Sequence, residues 1–282
     1  MSFQAHEALC CPLDGLTLDL QSGVLACPQG HSFDVARQGY VNLLLAQEKR
    51  SRDPGDSKAM ITARRNFLNA GYYAQLAAEL ARVAAAAGSG LSTVVDAGCG
   101  EGYYDAHLLE AVPDLADNFV GFDISKWAVQ AAAPRVPATW LVASNRQIPL
   151  RDASADMLLS LFGFPELAEF GRVLKSGGLL LIAEAGTEHL LELRRLIYPQ
   201  LTAKADDAKD SYAAAGFQLQ QESRVTYTTA ELPQERIAEL LLMTPHLYRA
   251  SAEGKARVAA LQRLVVTIDV RFRLYSSAPF AV

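Results

Sequence analysis

The sequence has few cysteines and no long apolar run, and each shortage excludes a class of protein. Its 282 residues include four cysteines, at positions 10, 11, 27 and 99. That number is too small for the disulfide framework of a secreted protein. No stretch approaches the roughly 18 uninterrupted apolar residues of a membrane span, and the first residues form neither a basic nor an apolar leader. We therefore expect a cytoplasmic protein with no membrane partner.

Charge is modest as well, at 20% of residues, whereas half of the chain is apolar. These fractions exclude disordered, collagen-like and coiled-coil chains and allow a buried core. The net charge of −5 argues against indiscriminate nucleic-acid binding. Residues 49–65 are the exception, with six basic and two acidic residues. This basic stretch is either a contact surface for RNA phosphates or a solvated loop, and the acidity of the remaining chain favours RNA.

Strand patterns alternate with helical patterns after about residue 91. Short β-branched or Leu-rich runs bounded by turn residues predict strands at 93–96, 118–123, 139–142, 156–161, 179–184, 218–227 and 264–275. A helix is predicted at 231–243. This rhythm predicts an α/β fold, a doubly wound and mostly parallel seven-stranded Rossmann-like sheet. Short strands with turns near the N-terminus predict a small β module beside it.

A glycine-rich motif joins the first of these strands to a helix. Asp96, Gly98, Gly100 and Gly102 form D-x-G-x-G-x-G. A dinucleotide fingerprint would need a glycine at Tyr103. The motif instead resembles the first motif of class I S-adenosylmethionine-dependent methyltransferases, and its four residues are predicted to line the cofactor site.

Two further strand ends extend this predicted site. Asp123 ends the second strand 27 residues after Asp96, where an acid accepts hydrogen bonds from ribose hydroxyls. A helix N-cap is the alternative role for this aspartate, and the preceding glycine motif favours ribose binding. Ser144 and Asn145 follow the third strand, where such enzymes hold the adenine.

Motifs along nearly the whole chain, from about residue 10 to residue 275, resemble the 23S rRNA guanine-N1 methyltransferase family. They are Cys27-Pro-Gln-x-His31, Gly39-Tyr-Val-Asn-Leu43, Lys49-Arg-Ser-Arg-Asp-Pro-Gly-Asp-Ser57, Gly98-Cys-Gly-Glu-Gly-Tyr-Tyr104, His189-Leu-x-Glu-Leu193 and Met243-Thr-Pro245. The resemblance implies methyl transfer to N1 of a guanine in a hairpin loop of domain II of 23S rRNA. It also implies a homodimer whose zinc modules grip the RNA, and cofactor contacts at Tyr73, Gly100, Glu101 and His189.

The zinc module departs from the family pattern, in which Cys-x2-Cys precedes Cys-x3-His. Here Asp14 stands in place of the second cysteine, so the predicted metal ligands are Cys11, Asp14, Cys27 and His31. A carboxylate can ligate zinc, although it is a harder ligand than a thiolate. Two hypotheses stay open: a zinc site of reduced affinity, or a module that folds by packing alone.

These observations divide the chain into three predicted parts. Residues 1–45 are the zinc-finger-like RNA-recognition module, 46–90 a basic linker with helices, and 91–282 the methyltransferase domain. After the fourth strand, Phe162 or Phe164 is predicted either to stack on a guanine or to be a core aromatic. Glu166 and Glu184 are candidate bases, and the sequence does not choose between them.

Two other functions compete with rRNA methylation. A methyltransferase acting on a small molecule would share the fold and the glycine motif, but would have no need of the N-terminal module. A non-catalytic RNA-binding protein with a vestigial methyltransferase fold is the other alternative. The intact glycine motif and Asp123 argue against such decay.

Overall fold

The computed structural model describes residues 3–49, 51–87, 90–200 and 208–278. The strands are β1 Asp19–Gln21, β2 Val24–Ala26, β3 Ser32–Asp34, β4 Val41–Asn42, β5 Val94–Ala97, β6 Phe119–Asp123, β7 Thr139–Val142, β8 Ala155–Leu161, β9 Leu174–Ala185, β10 Phe217–Thr228, β11 Leu232–Pro233, β12 Arg263–Leu264 and β13 Thr267–Ser277. The helices are α1 Lys58–Asn69, α2 Ala74–Ala86, α3 Tyr103–Ala111, α4 Lys126–Ala132, α5 Leu167–Val173, α6 Leu191–Ile197, α7 Ala208–Ala214, α8 Gln234–Leu242, α9 His246–Arg249 and α10 Ala252–Ala259. Short 3-10 helices span Ala46–Glu48 and Pro113–Asn118.

One large sheet organises the chain, and within the described residues it has eight strands in the order β10-β13-β9-β8-β5-β6-β7-β4. Strands β4 to β9 of this sheet pair in parallel, whereas β13 runs antiparallel to both β9 and β10. The predicted α/β class and mostly parallel sheet are confirmed. The eighth strand, β4, comes from the N-terminal module, and its two residues are too short a run to signal a strand.

Two apolar layers cover the two faces of the sheet. One layer includes Phe67 of α1, Leu76 of α2, Leu108 of α3 and Ile237 of α8. The opposite layer is formed by α5, α7 and the N-terminal module, which contributes Leu9, Leu25 and Val41. The N-terminal module therefore covers part of one sheet face in the way that a helix layer does in an ordinary doubly wound sheet.

The N-terminal module is tied to the sheet at both of its ends. Leu9 pairs with Leu150 in an antiparallel bridge, and β4 pairs in parallel with β7. Between these ties, β1, β2 and β3 form a three-stranded antiparallel sheet of their own. The division at residues 45 and 90 stays a prediction, because β4 belongs both to the module and to the large sheet.

Serine caps begin two of the helices that flank the glycine motif. The Ser57 hydroxyl accepts a hydrogen bond from the Met60 N–H at the start of α1, over 3.3 Å. Ser125 caps α4 in the same way, and its hydroxyl also donates to the Asp56 carbonyl, 2.6 Å away. Such caps satisfy N–H groups that have no partner inside the helix, and here they also fix the segment before α1 against the end of β6.

Among the described residues, no helix is both long enough and apolar enough to cross a membrane. The structure differs from the predicted strands chiefly at β9, which begins at Leu174 rather than at residue 179. A register shift between the Ala155 and Met157 pairings with β8 accommodates the extra residues. Gly177, inside this bulge, has a φ of 74°. The glycines of the bulge therefore resemble a turn in the sequence, although the strand continues through them.

Candidate functional site

The glycine motif forms a tight loop at the carboxyl end of β5. The N–H groups of Gly98 and Cys99 both donate to the Phe122 carbonyl of β6, at 2.9 and 3.0 Å. Gly98 has a φ of 103°, which only glycine adopts readily. A Cβ on Gly102 would lie 3.0 Å from the Cβ of Ala132, so this glycine lets α3 approach α4 closely. The loop therefore holds the N-terminus of α3 beside the end of β6, at the carboxyl edge of the sheet where ligands of doubly wound folds bind.

Asp123 lies against this loop. Its carboxylate accepts hydrogen bonds from the N–H of Gly100, at 3.1 Å, and from the N–H of Ser125, at 2.7 Å. Burial raises the pKa of Asp123, while these N–H groups and the nearby Arg64 guanidinium oppose the rise. The carboxylate is thus fixed at the carboxyl edge of the sheet, where ligands of doubly wound folds bind.

Glu101 is also buried in the loop, with 2% of its surface exposed. Its carboxylate lies 3.1 Å from the Arg135 guanidinium. Burial raises the pKa of Glu101, and the positive charges of Arg135 and Arg64 oppose the increase. A carboxylate and two guanidinium groups therefore meet beside the predicted cofactor site.

A second buried acid, which sequence reasoning missed, lies beside Asp96. Asp105 of α3 has no exposed surface, and the hydrogen-bond partner of its carboxyl group is the carboxyl group of Asp96. Burial raises the pKa of Asp96 to about 7, with the negative charge of Asp123 adding to the rise. Burial and the charge of Asp96 raise the pKa of Asp105 well above its ordinary value. Both shifts favour a protonated Asp105 that donates to the Asp96 carboxylate. In the sequence, Asp105 has the pattern of an ordinary acid in the first turn of a helix.

Replacing Asp105 with asparagine should stabilise the protein in a pH-dependent way. A raised folded-state pKa means that stability is lost as pH rises from the unfolded value through the folded value. The asparagine amide would keep the neutral shape, so the melting temperature at pH 8 should rise by about 2–4 °C, the change that ~1 kcal/mol produces in a chain of this size. Calorimetry should show this difference shrinking as the pH falls and vanishing near pH 4, at the ordinary pKa of an aspartate.

The exposed Asp114 provides the control for this experiment, because Asp114→Asn removes a similar charge outside the buried pair. Equal melting temperatures for Asp105→Asn and the parent protein at pH 8 would contradict a raised pKa of Asp105 in the folded protein.

Tyr73 and His189, 116 positions apart in the chain, meet at the same edge of the sheet. The Tyr73 hydroxyl lies 3.3 Å from Nε2 of His189, and Nδ1 of that ring accepts the N–H of Asp269, at 3.2 Å. With Nδ1 accepting, the neutral imidazole carries its proton on Nε2 and donates it to the Tyr73 hydroxyl. Burial raises the pKa of Tyr73, so the phenol stays protonated and can itself donate to a ligand.

Ser144 and Asn145 lie in a turn directly after β7. The N–H of Ala143 donates to the Asp123 carbonyl, at 3.1 Å, which places the turn next to the predicted ribose contact. The Ser144 hydroxyl accepts the Arg146 N–H, at 3.2 Å, while the Asn145 amide donates to the Phe164 carbonyl, at 3.0 Å. The turn therefore joins the predicted cofactor site to the loop after β8.

The loop after β8 carries two aromatic side chains with different surroundings. The Phe162 ring stacks against His189, with centroids 6.2 Å apart, and is 39% exposed. Phe164 is 86% exposed, so it is no core aromatic. Glu166 lies at the surface beside Arg146, whereas the carboxylate of Glu184 lies 3.0 Å from the buried Arg273 guanidinium. Of the two candidate bases, Glu166 is the one beside the exposed aromatic.

The four predicted metal ligands converge in the N-terminal module. Their ligand atoms all lie within 4.8 Å of one another. Nδ1 of His31 is 3.5 Å from Sγ of Cys11, 3.4 Å from Sγ of Cys27 and 2.9 Å from Oδ2 of Asp14. Tetrahedral zinc at its usual bond lengths would separate a thiolate sulfur from an imidazole nitrogen by about 3.6 Å. The residues present therefore fit zinc, and the arrangement places Cys10 outside the set.

Two family models and a solved structure match the chain. A family model described as "RlmA, N-terminal", a zinc ribbon, matches residues 9–52, and a "Methyltransferase domain" model matches residues 94–178. A solved "putative methyltransferase" from Bacillus halodurans superposes with a TM-score of 0.50 at 17% identity, over 72% of this chain and 98% of that one, which shows the shared fold alone.

Two relatives match almost from end to end. A protein of Streptomyces fradiae named "23S rRNA (guanine(748)-N(1))-methyltransferase" is 34% identical over 95% of this chain and 96% of its own length. A "Putative 23S rRNA (guanine-N(1)-)-methyltransferase" of Micromonospora griseorubida is 36% identical over 94% and 96%. The protein is an S-adenosylmethionine-dependent methyltransferase, and its chain belongs to the 23S rRNA (guanine-N1)-methyltransferase family.

Proposed function

We propose that this protein transfers the methyl group of S-adenosylmethionine to N1 of a guanine in 23S rRNA, in the domain II hairpin loop that the family resemblance indicates. The observation that carries this proposal is the joint presence of a zinc-ribbon module and a complete glycine-loop site on one sheet. A methyltransferase for small molecules has no evident use for the module. The intact contacts of Asp123 with the glycine loop weigh against a vestigial fold.

The proposed cofactor site unites the residues at the carboxyl edge of the sheet. They are Tyr73, Asp96, Gly98, Gly100, Glu101, Gly102, Asp123, Ser144, Asn145 and His189. S-adenosylmethionine, when bound, supplies a positively charged sulfonium with a transferable methyl group. The buried Asp96 and the partly exposed Asp123 beside the loop suit such a cation, because an uncompensated charge is costly to bury.

Guanine N1 carries a proton, which must leave before or during methyl transfer. We infer that the exposed Phe164 stacks on a guanine turned out of the RNA, as recognition of single-stranded bases commonly requires. Glu166, two residues further along, is the candidate proton acceptor, held beside Arg146 at 3.4 Å. Orienting the base in line with the methyl group would supply most of the rate acceleration.

Zinc fits the set Cys11, Asp14, Cys27 and His31, and there it would supply structure rather than chemistry. A four-ligand site closed by protein groups has no open position for a reacting molecule. Its role would be to hold together a three-stranded sheet that is small for independent stability. We propose that the module so held contacts the RNA.

The basic stretch at 49–65 divides into two kinds of residue. Lys49 and Arg52 are exposed, and Arg50 lies outside the described residues. Arg64 instead binds the Asp56 carboxylate, at 2.7 Å, and the Met243 carbonyl, at 3.2 Å, so it is not free to meet RNA. The half-exposed Trp127 extends the basic surface, because the Lys126 and Lys58 ammonium groups lie 4.7 and 5.6 Å from its ring.

Charge reversal at Lys49 and Arg52 should weaken RNA binding selectively. Each lost phosphate contact reduces the slope of log affinity against log salt by roughly 0.7–0.9, and the double variant should lose about tenfold in affinity at low salt. Fluorescence anisotropy with a labelled rRNA hairpin measures both effects. Lys255→Glu, exposed on α10 and outside both the basic stretch and the N-terminal module, is the matched control. Unchanged RNA affinity in the double variant would show that the basic stretch is a solvated loop and not an RNA contact.

The function is tested with purified protein, radiolabelled S-adenosylmethionine and a transcript of the domain II hairpin. N1 methylation blocks Watson–Crick pairing, so primer extension should stop at one guanine of the loop. Cofactor binding without transfer to any rRNA would favour a small-molecule substrate, and no cofactor binding would favour the vestigial fold. Cytoplasmic location and the homodimer belong to the same proposal, and sedimentation with and without RNA tests the dimer.

A further inference from the structure

The N-terminal module holds both ends of the turn after β7. On one side, the N–H of Leu43 donates to the Val142 carbonyl, at 2.9 Å, next to the β4–β7 pairing. On the other side, the N–H of Cys10 donates to the Pro149 carbonyl, at 3.0 Å. The segment between these two hydrogen bonds contains Ser144 and Asn145, the proposed adenine contacts.

One side chain of the turn reaches the backbone between two of the predicted metal ligands. The Gln147 amide donates to the Pro12 carbonyl, 2.6 Å away. Pro12 lies in the short knuckle between two metal ligands, Cys11 and Asp14. The Gly15 N–H closes this knuckle on the Cys11 carbonyl, at 2.8 Å. An ion that holds both ligands therefore also fixes the carbonyl that Gln147 binds.

The turn is tight enough to transmit that constraint. The Gln147 N–H donates to the Ser144 carbonyl, at 3.2 Å, and the Arg146 N–H to the Ser144 hydroxyl. The Asn145 amide bonds to the Phe164 carbonyl on the far side. A displacement of Gln147 would therefore move Ser144 and Asn145 together, because each is bonded within or across the same four-residue turn.

We propose that Gln147 is a positioning residue that couples the zinc module to the cofactor site. The metal-bearing knuckle holds the adenine turn in place through the Gln147–Pro12 bond, so the metal-loaded protein binds S-adenosylmethionine more tightly than the metal-free protein. This inference rests on the proposed function, because it takes the turn to hold the adenine. By thermodynamic linkage, the cofactor tightens zinc binding by the same factor.

The test is calorimetric titration of S-adenosylmethionine into the full chain without RNA. Gln147→Ala should retain its zinc yet bind the cofactor about three- to tenfold more weakly, the usual effect of one lost hydrogen bond. Gln234→Ala is the matched control, since the Gln234 amide also donates to a backbone carbonyl, that of Ala259, at 2.9 Å and far from the turn. Removal of zinc should weaken cofactor binding more in the parent protein than in Gln147→Ala.

Zinc affinity, measured by competition with a chromogenic chelator, should rise with saturating cofactor in the parent and not in Gln147→Ala. Unchanged RNA affinity of Gln147→Ala would show that the variant is folded and that its weaker cofactor binding comes from a displaced turn. Equal cofactor affinities for Gln147→Ala and the parent would overturn the coupling, even if the metal-free protein unfolds. A zinc-loaded parent that binds no cofactor would contradict the proposed function itself.

Discussion

Asp123→Ala should abolish measurable binding of S-adenosylmethionine, with a loss of at least about a hundredfold in affinity. The carboxylate accepts N–H groups from both Gly100 and Ser125, so its removal leaves two donors without their partner and frees the glycine loop. Hydrogen bonds to charged groups are worth about 1.5–3 kcal/mol each, and the ribose hydroxyls would lose theirs as well. Isothermal titration of the purified variant measures the loss, and methylation of the rRNA hairpin should fall with it.

Asp156→Ala is the matched control, since it also removes a carboxylate that accepts two backbone N–H groups. The Asp156 partners are Ser92 and Thr93, at 3.1 and 2.9 Å, near the amino ends of the strands and away from the proposed site. This variant should lose stability without losing cofactor affinity. Cofactor binding by Asp123→Ala within threefold of the parent would remove Asp123 from the site.

Asp14→Cys should tighten zinc binding by at least about tenfold, because a thiolate is a softer zinc ligand than a carboxylate. Oδ2 of Asp14 already lies 3.2 Å from Sγ of Cys27 and 2.9 Å from Nδ1 of His31. A cysteine side chain is shorter, but a Zn–S bond is about 0.1–0.3 Å longer than a Zn–O bond, and Cys-x2-Cys is an ordinary spacing for two zinc ligands. Competition with a chromogenic chelator gives the affinity of each variant.

Two further variants serve as controls for this experiment. Cys27→Ser should lose the metal, whereas Asp34→Cys adds a thiol elsewhere in the same module, on the exposed strand β3, and should leave zinc affinity unchanged. Equal affinities for Asp14→Cys and the parent would place residue 14 outside the coordination set. Parent protein purified without chelator and found to hold no zinc would favour a module that folds by packing alone.

Most of the strands were predictable because their signals are local. Strand β7 was predicted with its observed bounds, Thr139–Val142, and β5, β6 and β8 within one residue at each end. Buried parallel strands are short apolar runs between turn residues, and such runs are easy to recognise in this sequence. The four metal ligands converge because their two knuckles follow the spacing of a known module, despite Asp14.

Contacts between distant segments could not be predicted in this way. Asp105 resembles a surface helix acid until α3 is packed against β5, and the bond from the exposed Gln147 to Pro12 exists only once the module folds onto the turn. Arg64 belonged to a basic stretch in the sequence, yet its guanidinium faces Asp56 and the Met243 carbonyl. Each of these roles depends on which segments of the chain pack against each other. The periodicity of the sequence does not determine that packing.

The docking of the N-terminal module onto β7 and residues 149–151 has a consequence for biosynthesis. Its apolar residues Leu9, Leu25 and Val41 are made before the surface that buries them, which includes Leu150 and so requires the chain at least to that residue. At roughly 5–20 residues per second, the nascent module waits several seconds with this surface exposed. An early zinc ion would shorten that vulnerable interval, because it can close the module before its docking surface exists.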